Sequence, residues 1–264
     1  MNPGPHPALA RRTAWWLSVF LGLVLASHGI HAGLPETVAR IKPSIVVVGT
    51  FSKLRSPAFQ LRGTGFAVGS GLTVATNAHV LPPGADGTGQ ETLVVLIRNG
   101  DSVRQRQVSI DAIDKDHDLA LLRLDGTPLP PLVLRAPESV REGQGIAFTG
   151  FPIGGVLGYA PVTHRGVISA ITPIVLPGGN AGDLKDKSIR RLRSGAFQVF
   201  QLDATAYPGN SGGPMYDAET GEVLGIMNMV FVKSTKEAAL EHPSGISYAI
   251  PAGHLIELLA RSKR

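Results

Sequence analysis

Short β-favouring segments, separated by glycine, proline, asparagine and aspartate, follow one another through most of this chain. Runs rich in valine, isoleucine, leucine and threonine between such turn residues are typical of strands, and short strands in this number form small barrels or sandwiches. Six segments are predicted in each half, so we expect an all-β protein with two similar halves. The predicted strands are residues 45–49, 63–68, 72–77, 92–97, 103–110 and 119–124, then 145–149, 156–160, 163–171, 196–202, 223–232 and 246–250.

Two short helices and a linker are predicted around these strands. Residues 34–41 follow the pattern of a helix with Pro35 in its first turn, and Pro43 ends it. Residues 252–261 form an amphipathic helix after Pro251. The proline-rich segment 127–137 separates the halves. We therefore predict a first half at 33–126, a linker at 127–140, a second half at 141–250 and a helical tail at 251–264.

The first 32 residues have the layout of a secretory signal peptide. Arg11 and Arg12 precede an apolar run at residues 14–26, and small residues then lead to Ala32. That run is short for crossing about 30 Å of hydrocarbon, and basic, apolar and small residues in this order are typical of an export signal. We expect cleavage after Ala32 and a periplasmic or secreted protein. The alternative is an uncleaved segment that anchors the chain to a membrane.

Composition excludes several classes of function. The chain carries 25 Lys and Arg against 20 Asp and Glu, but no dense basic stripe interleaved with aromatic residues, so nucleic acid is not an expected partner. Cysteine is absent, so an exported form depends on core packing rather than disulfides. His164, His242 and His254 have no ligand spacing with acidic residues. We expect neither a metal nor a cofactor.

The segment 203–214, with the sequence D-A-T-A-Y-P-G-N-S-G-G-P, is the strongest candidate for chemistry. Gly209, Asn210, Gly212 and Gly213 surround Ser211 with the residue types that best tolerate left-handed backbone. Such a loop can turn several N–H groups toward one point, which is what the oxyanion of an acyl-transfer reaction requires. The same composition also fits an ordinary turn, so the interpretation depends on finding a base and an acid elsewhere.

His79 and Asp118 are the candidate base and acid. His79 follows the predicted strand 72–77, and Asp118 directly precedes the apolar segment 119–124. A carboxylate at the edge of an apolar strand requires a partner, which a histidine N–H can supply. A structural histidine and a polar strand start are the alternative interpretations. Rival acids precede Asp118 at Asp111, Asp114 and Asp116, and His117 is predicted to point to the surface because strand alternation turns it away.

Five motifs together resemble the trypsin-like protease domain of the HtrA/DegP family. They are G-T-G-F at 63–66, T-N-A-H-V at 76–80, D-H-D-L-A-L-L at 116–122, G-N-S-G-G-P at 209–214 and G-I-S-Y-A-I-P at 245–251. The order histidine, aspartate, serine is that of the chymotrypsin-type triad. The resemblance covers residues 34–259 and implies a chymotrypsin-like fold of two six-stranded antiparallel β-barrels with a short C-terminal helix.

The resemblance also implies roles for individual residues. Ser211 is the expected nucleophile, His79 the general base and acid, and Asp118 the group that orients His79. The amides of Gly209 and Ser211, with Asn210 between them, are expected to form the oxyanion hole. The expected specificity pocket has no acidic residue, which favours cleavage after small or medium apolar side chains. Its residues are Met227, Asn228, Met229, Gly245, Ile246 and Ser247.

Two features depart from the family pattern. Only a few residues follow the terminal helix, so we do not expect the PDZ module that family members commonly carry after the protease domain. Residues 177–193 form a long glycine-rich and basic segment where the family has its activation loops. This segment is interpreted as a solvated surface excursion, with a regulatory or anion-binding role as the alternative. The family resemblance makes a homotrimer possible.

Together these observations predict an exported serine endopeptidase that acts on unfolded or extended proteins or peptides through an acyl-enzyme. One alternative is a chaperone-like or scaffold protein that keeps the protease fold without turnover. Another is an acyl hydrolase that acts on esters other than peptides.

Overall fold

The computed structural model describes residues 1, 33–83, 91–100, 102–152, 158–173, 197–228 and 245–262. Six antiparallel strands form a closed barrel in the first half of this part of the chain. In spatial order the strands run β1-β2-β3-β6-β5-β4, and β4 pairs with β1 to close the barrel. Their bounds are β1 (Ile45–Phe51), β2 (Phe59–Val68), β3 (Thr73–Asn77), β4 (Thr92–Asn99), β5 (Ser102–Asp114) and β6 (Leu119–Leu124).

A second closed barrel follows with the same plan. Its spatial order is β7-β8-β9-β12-β11-β10, which is the first barrel's order with each number raised by six, and β10 pairs with β7. The fold is therefore the chymotrypsin-like arrangement of two six-stranded antiparallel barrels that the sequence predicted. Their bounds are β7 (Gly145–Gly150), β8 (Val162–Pro173), β9 (Gln198–Asp203), β10 (Pro214–Asp217), β11 (Val223–Asn228) and β12 (Ile246–Pro251).

Strand alternation explains why some strands are apolar without a break. In β1, Val46 and Val48 belong to the core of the first barrel, while Ile45 and Val47 belong to a second cluster that includes Ile226 and Ile250 of the other barrel. Because successive side chains of a strand point to opposite faces, a strand buried on both faces must be apolar at every position. The same division applies to β6. The clusters on the outer faces of β1 and β6 join the two barrels.

Two helices border the barrels within the described residues. Helix α1 (Leu34–Ile41) begins with Pro35 in its first turn, and Thr37 donates a 3.0 Å hydrogen bond to the carbonyl of Glu219 in the second barrel. Helix α2 (Ala252–Ser262) follows β12 directly and buries Ala252, Leu255 and Leu258. It packs against β5 and β6 of the first barrel and against β11 and β12 of the second. No helix in the described ranges is long and apolar enough to cross a bilayer.

One of the predicted strands needs correction, and one observed strand was not predicted. The prediction of a strand at 156–160 is wrong, because its described residues, 158–160, form a turn in which Tyr159 has a φ of 54°. The sixth strand of the second barrel is instead β10, which begins at Pro214 directly after the serine loop. Proline is tolerated at the first position of a strand, where its missing N–H costs no ladder bond. The count of six was right although one strand was misplaced.

Candidate active site

His79 and Asp118 lie side by side because of the register between β3 and β6. Asn77, the last residue of β3, pairs with Leu119, the first residue of β6. The chain then turns through a single 3-10 turn, Ala78–Val80, which presents His79 beside the residue that precedes Leu119. The Nδ1 atom of His79 lies 2.6 Å from Oδ2 of Asp118. This contact assigns the proton of the neutral imidazole to Nδ1 and leaves Nε2 as an acceptor.

Asp118 is held by its backbone as well as by its side chain. Its φ of 54° lies in the left-handed region, which costs a residue with a side chain about 1–2 kcal/mol. Its carbonyl accepts hydrogen bonds from the amide of Ala78 at 3.1 Å and from the side chain of Asn77 at 3.0 Å. Its Oδ1 accepts the amide of His79 at 2.9 Å. These bonds offset the backbone strain and fix the carboxylate beside the imidazole ring.

The second barrel supplies another donor to the same carboxylate. Nδ2 of Asn228, at the end of β11, donates a 2.7 Å hydrogen bond to Oδ2 of Asp118, and Asn228 is fully buried. Asn228 was predicted to line the specificity pocket, and its bond to Asp118 was not predicted from the sequence. An asparagine at the end of a fully buried strand is nevertheless a signal, since a buried amide requires partners.

Ser211 lies in a loop whose peptide groups are bonded in succession. The amide of Asn210 donates to the Tyr207 carbonyl at 3.0 Å, and the amide of Gly213 donates to the Asn210 carbonyl at 3.0 Å. The amide of Gly212 donates to the carbonyl of Met227 at 3.0 Å. Gly209 has a φ of 103° and Gly212 a φ of 84°, both in the region that favours glycine. The loop therefore requires glycine at these two positions.

The Ser211 backbone packs against the segments that carry His79. The amide of Thr64, in β2, donates a 2.8 Å hydrogen bond to the Ser211 carbonyl. A Cβ added at Gly63 would lie 2.7 Å from a methyl carbon of Val80 and 2.8 Å from that same carbonyl oxygen. Ser211 is 5% exposed, and the His79 side chain is 29% exposed. Val80, the residue after His79, and the Ser211 carbonyl thus approach the same glycine, Gly63, where the two barrels touch.

The residues predicted for the oxyanion hole differ in their bonding. The amide of Asn210 is engaged by Tyr207, whereas the amide of Gly209 donates to no other residue in the described ranges. The Asn210 side chain is fully buried, and neither of its polar atoms has a partner among the described residues. Its Oδ1 would lie 2.7 Å from a Cβ added at Gly150, so close packing against glycine accommodates it.

The predicted pocket residues lie at the ends of β11 and β12, apart from Met229, which falls outside the described residues. Met227 is fully buried in the core of the second barrel, and Ile246 is 47% exposed. The hydroxyl of Ser247 donates to the Ala204 carbonyl at 2.7 Å and accepts the Ala206 amide at 3.1 Å. The carbonyl of Gly245 accepts the Ala204 amide at 2.9 Å. β12 is therefore bonded to the segment that leads into the serine loop.

Asp114 and Asp111, two of the rival candidates for the acid beside His79, are bonded to other residues. Oδ2 of Asp114 lies 3.0 Å from Nδ1 of His117 and 2.7 Å from the Arg261 guanidinium. Burial alone would raise the pKa of Asp114, but the hydrogen bonds from His117 and Arg261 outweigh burial and lower this pKa to about 2. The surface prediction for His117 is wrong, because its ring is half-buried and stacks on His254 at 3.9 Å. Burial lowers the pKa of His254. Asp111 pairs instead with Arg123.

Within the described ranges, no group of three histidine, aspartate, glutamate or cysteine side chains is arranged to hold a metal ion. Two closed barrels, with the imidazole–carboxylate pair on the first and the serine loop on the second, define the trypsin-like class of peptidase domains. The family model described as "trypsin-like peptidase domain" matches residues 63–226, which include His79, Asp118 and Ser211. The chain belongs to that family.

The curated relatives are HtrA-type serine proteases. Serine protease HTR4 of Rattus norvegicus is 30% identical over 233 residues, which cover 86% of this chain and 40% of the relative. A probable periplasmic serine endoprotease, DegP-like, of Halomonas elongata is 30% identical over 190 residues, covering 72% of this chain and 32% of the relative. The chain therefore spans less than half the length of these relatives. Their similarity confirms the resemblance to HtrA and DegP proteases.

Solved structures agree with this assignment. The HtrA-type protease AlgW with a tripeptide has a TM-score of 0.60 and 26% sequence identity, and the match covers 86% of this chain and 62% of that one. Deg5 has a TM-score of 0.60 at 23% identity, with 84% of this chain and 90% of that one covered. The similarity to Deg5 supports the fold.

Proposed function

We propose that this protein is a serine endopeptidase that hydrolyses peptide bonds in unfolded or extended proteins. The observation that carries the proposal is the 2.6 Å contact between His79 and Asp118 at the point where the Ser211 loop packs against the first barrel. An acidic partner on Nδ1 leaves Nε2 to accept a proton, which is the state that a general base requires. Membership of the trypsin-like family, with HtrA-type relatives, supports the same reaction class.

In the first half of the reaction, Ser211 Oγ attacks the carbonyl carbon of the scissile peptide while Nε2 of His79 takes the hydroxyl proton. Negative charge then develops on the former carbonyl oxygen. The amides of Gly209 and Ser211 receive this oxygen, and one such donor is typically worth about 3–4 kcal/mol of barrier. The intermediate collapses when His79 protonates the leaving amine, which departs and leaves an ester on Ser211.

In the second half, water attacks the ester carbonyl, and Nε2 of His79 takes a proton from the water. A second tetrahedral intermediate forms at the same donors and collapses to release the carboxylic acid product and the serine hydroxyl. Asp118 stabilises the imidazolium that forms transiently in both halves without itself taking the proton. Asn228 supports this role by fixing the Asp118 oxygen that faces the ring.

The substrate side chain is proposed to enter a pocket bordered by Met227, Asn228, Met229, Gly245, Ile246 and Ser247. Ser247 contacts two alanines, Ala204 and Ala206, and its hydroxyl is already engaged by their backbone. A pocket floor with these groups offers no carboxylate to a basic side chain. Small or medium apolar residues are therefore the proposed preference before the cleaved bond.

Location, assembly and partners rest on the relatives and on the amino-terminal sequence. The first 32 residues have the pattern of an export signal, and a DegP-like relative is described as periplasmic. We propose a periplasmic or secreted protein with protein or peptide substrates; the HtrA-type protease AlgW has been solved with a tripeptide. Association with a membrane is proposed only if the amino-terminal segment is retained. A homotrimer is proposed from the family resemblance alone.

The test is cleavage of casein by the full protein, compared with Ser211→Ala and with Ser169→Ala as a matched control. Ser169 is exposed on β8 and makes no hydrogen bond to the Ser211 loop among the described residues. The proposal predicts cleavage by the wild type and by Ser169→Ala and none by Ser211→Ala. A folded wild type that cleaves neither casein nor short peptides contradicts it. Hydrolysis of small esters without peptide cleavage would instead identify an acyl hydrolase.

A further inference from the structure

Thr64 joins the first barrel to the serine loop through its backbone and its side chain. It lies in β2 within the G-T-G-F motif and is fully buried. Its amide donates to the Ser211 carbonyl at 2.8 Å, and its hydroxyl donates to the Gly209 carbonyl at 2.7 Å. The same hydroxyl accepts the amide of Phe151 at 3.1 Å. A single residue of the first barrel therefore bonds both ends of the segment 209–211, the Gly209 end through its side chain and the Ser211 end through its backbone.

The hydroxyl bond to Gly209 fixes the plane of one peptide group. The peptide between Gly209 and Asn210 has its carbonyl held by Thr64 and its N–H held by the Tyr207 carbonyl at 3.0 Å. The peptide between Ser211 and Gly212 is likewise held at both ends, by the amide of Thr64 and by the carbonyl of Met227. Since only the two torsions at one Cα separate neighbouring peptide planes, fixing these two planes restricts the directions of the amides that flank them. Those flanking amides are the N–H groups of Gly209 and Ser211.

The surroundings of Thr64 hold its hydroxyl in this position. Its carbonyl accepts the hydroxyl of Thr76 from the neighbouring strand β3 at 2.7 Å. A Cβ added at Gly150 would lie 2.9 Å from the Thr64 hydroxyl, and one added at Gly213 would lie 3.3 Å from its methyl carbon. Threonine is stiff about its first side-chain torsion. The Thr64 backbone is therefore bonded to β3, and its side chain packs closely against glycines of the second barrel.

We propose that Thr64 is a positioning residue of the reaction: its hydroxyl, carried by the first barrel, aims the Gly209 amide at the developing oxyanion. This inference rests on the proposed function. Thr64 has no contact with the imidazole or the carboxylate among the described contacts, so its effect passes through the Gly209–Asn210 peptide. Removal of the hydroxyl changes the stabilisation of the tetrahedral intermediate more than the binding of the substrate, because only the former uses the aimed amide.

The test compares Thr64→Val with Thr64→Ser and with Thr37→Val. Valine keeps the branched shape and removes the hydroxyl, whereas serine keeps the hydroxyl. Thr37 is the matched control, because it is also a fully buried threonine, and its hydroxyl donates to Glu219 and accepts from Arg40 far from the serine loop. The readouts are kcat, KM, thermal unfolding and the affinity for a peptide boronate, which forms a tetrahedral adduct on the serine.

We expect kcat of Thr64→Val to fall about 10- to 100-fold with KM changed less than threefold, since small misplacement of an aimed group has effects of this size. Boronate affinity falls in parallel, Thr64→Ser stays within about threefold of wild type, and Thr37→Val keeps kcat even if it lowers the unfolding temperature. Equal kcat in Thr64→Val and wild type overturns the inference. A fall in kcat without a fall in boronate affinity overturns it as well.

If Thr64→Val does not fold, boronate binding by Thr64→Ser and by Thr64→Ala decides in its place. Alanine leaves space and removes the same hydroxyl, so it must lose boronate affinity while serine retains it; equal affinities overturn the inference. A wild type that cleaves no peptide refutes the proposed function. An active wild type with an unaffected Thr64→Val refutes only the role of Thr64.

Discussion

The side-chain amide of Asn228 donates a 2.7 Å hydrogen bond to the Asp118 oxygen that also lies 2.6 Å from the His79 ring. Asn228 belongs to the second barrel and Asp118 to the first, so this bond crosses the interface on which the candidate site is built. Asn228 is fully buried, and breaking the bond would leave a carboxylate whose side chain is only 11% exposed with one donor fewer. Residues of both barrels therefore hold the carboxylate that orients the imidazole.

Substitution of Asn228 by alanine tests this shared role. A hydrogen bond to a charged group contributes about 1.5–3 kcal/mol, and we expect part of this in the transition state, where the imidazolium needs a fixed carboxylate. The expected result is a fall of about 10-fold in kcat/KM for a peptide substrate. Asn99→Ala, at the exposed end of β4, is the control. Unchanged kcat/KM in Asn228→Ala would show that the first barrel alone orients the ring.

Substitution of Asp118 by asparagine tests whether Asp118 orients the His79 ring, without changing the fold. Asparagine tolerates the left-handed φ of 54°, so the backbone around the site is expected to persist. The amide cannot hold the imidazole in the same tautomer, and the rate is expected to fall by about 10⁴. Circular dichroism checks the fold and peptide hydrolysis checks the rate. Activity within tenfold of the wild type would remove Asp118 from the mechanism.

A pair of glycines distinguishes backbone strain from close packing. Gly212 has a φ of 84°, and a Cβ there would lie 2.2 Å from the Thr64 carbonyl; Gly143 has a φ of 80° with no atom within 4 Å of its added Cβ. In Gly143→Ala the free energy of unfolding is expected to fall only by the cost of left-handed backbone for alanine, about 1–2 kcal/mol. In Gly212→Ala the clash with the Thr64 carbonyl lowers the free energy of unfolding further, typically by about 1–3 kcal/mol, and activity is expected to be lost. Urea unfolding of both variants measures the difference, and equal losses would contradict the close approach.

The cluster around Asp114 predicts a pH dependence of stability. The Asp114 pKa is about 2 in the folded protein and 3.8 when unperturbed, so the unfolded state binds more protons between these values. The contribution of Asp114 to the free energy of unfolding is therefore nearly complete above pH 4 and is lost as the pH falls toward 2. Its size is on the order of 1–2 kcal/mol after allowance for solvent screening. His117, Arg261 and His254 are the titratable groups that face Asp114 or its partner.

Denaturant unfolding of Asp114→Asn checks this dependence. The variant lacks the titrating carboxyl, so its unfolding free energy is expected to change less than that of the wild type between pH 4 and pH 2. Asp116→Asn serves as a control, because Asp116 is exposed and its side chain has no hydrogen bond or ion pair among the described residues. Parallel curves for wild type and Asp114→Asn would mean that Asp114 contributes nothing in this range.

Much of the fold could be predicted from local sequence because alternation and burial act along each strand. The unbroken apolar run of β1 and the turn residues between strands follow directly from the pleat and from backbone sterics. The false strand at 156–160 shows the limit of this reasoning. Tyr159 is apolar in character, but its ring packs edge-on against Phe59 at 5.6 Å, so contacts distant in sequence bury it without a strand.

The site could be predicted only in part for the same reason. His79 and Asp118 stand next to apolar strands, and the glycines around Ser211 indicate unusual backbone, so each gives a local signal. Asn228 and Thr64 bond partners far away in the chain, Asp118 and Gly209, which neither the G-T-G-F motif nor a buried asparagine identifies. Only the packing of one barrel against the other reveals these contacts. His117 was misassigned because residues 115–118 form a turn, where strand alternation does not apply.

The most direct test of the central claim is a map of the residue that reacts with a fluorophosphonate. The full protein is treated with the probe, digested with a second protease and analysed by mass spectrometry. The proposed triad predicts a single adduct on Ser211, whose rate of formation falls by orders of magnitude in His79→Ala. A folded protein that cleaves casein with Ser211 unmodified, or a His79→Ala variant that is labelled at the wild-type rate, would contradict it.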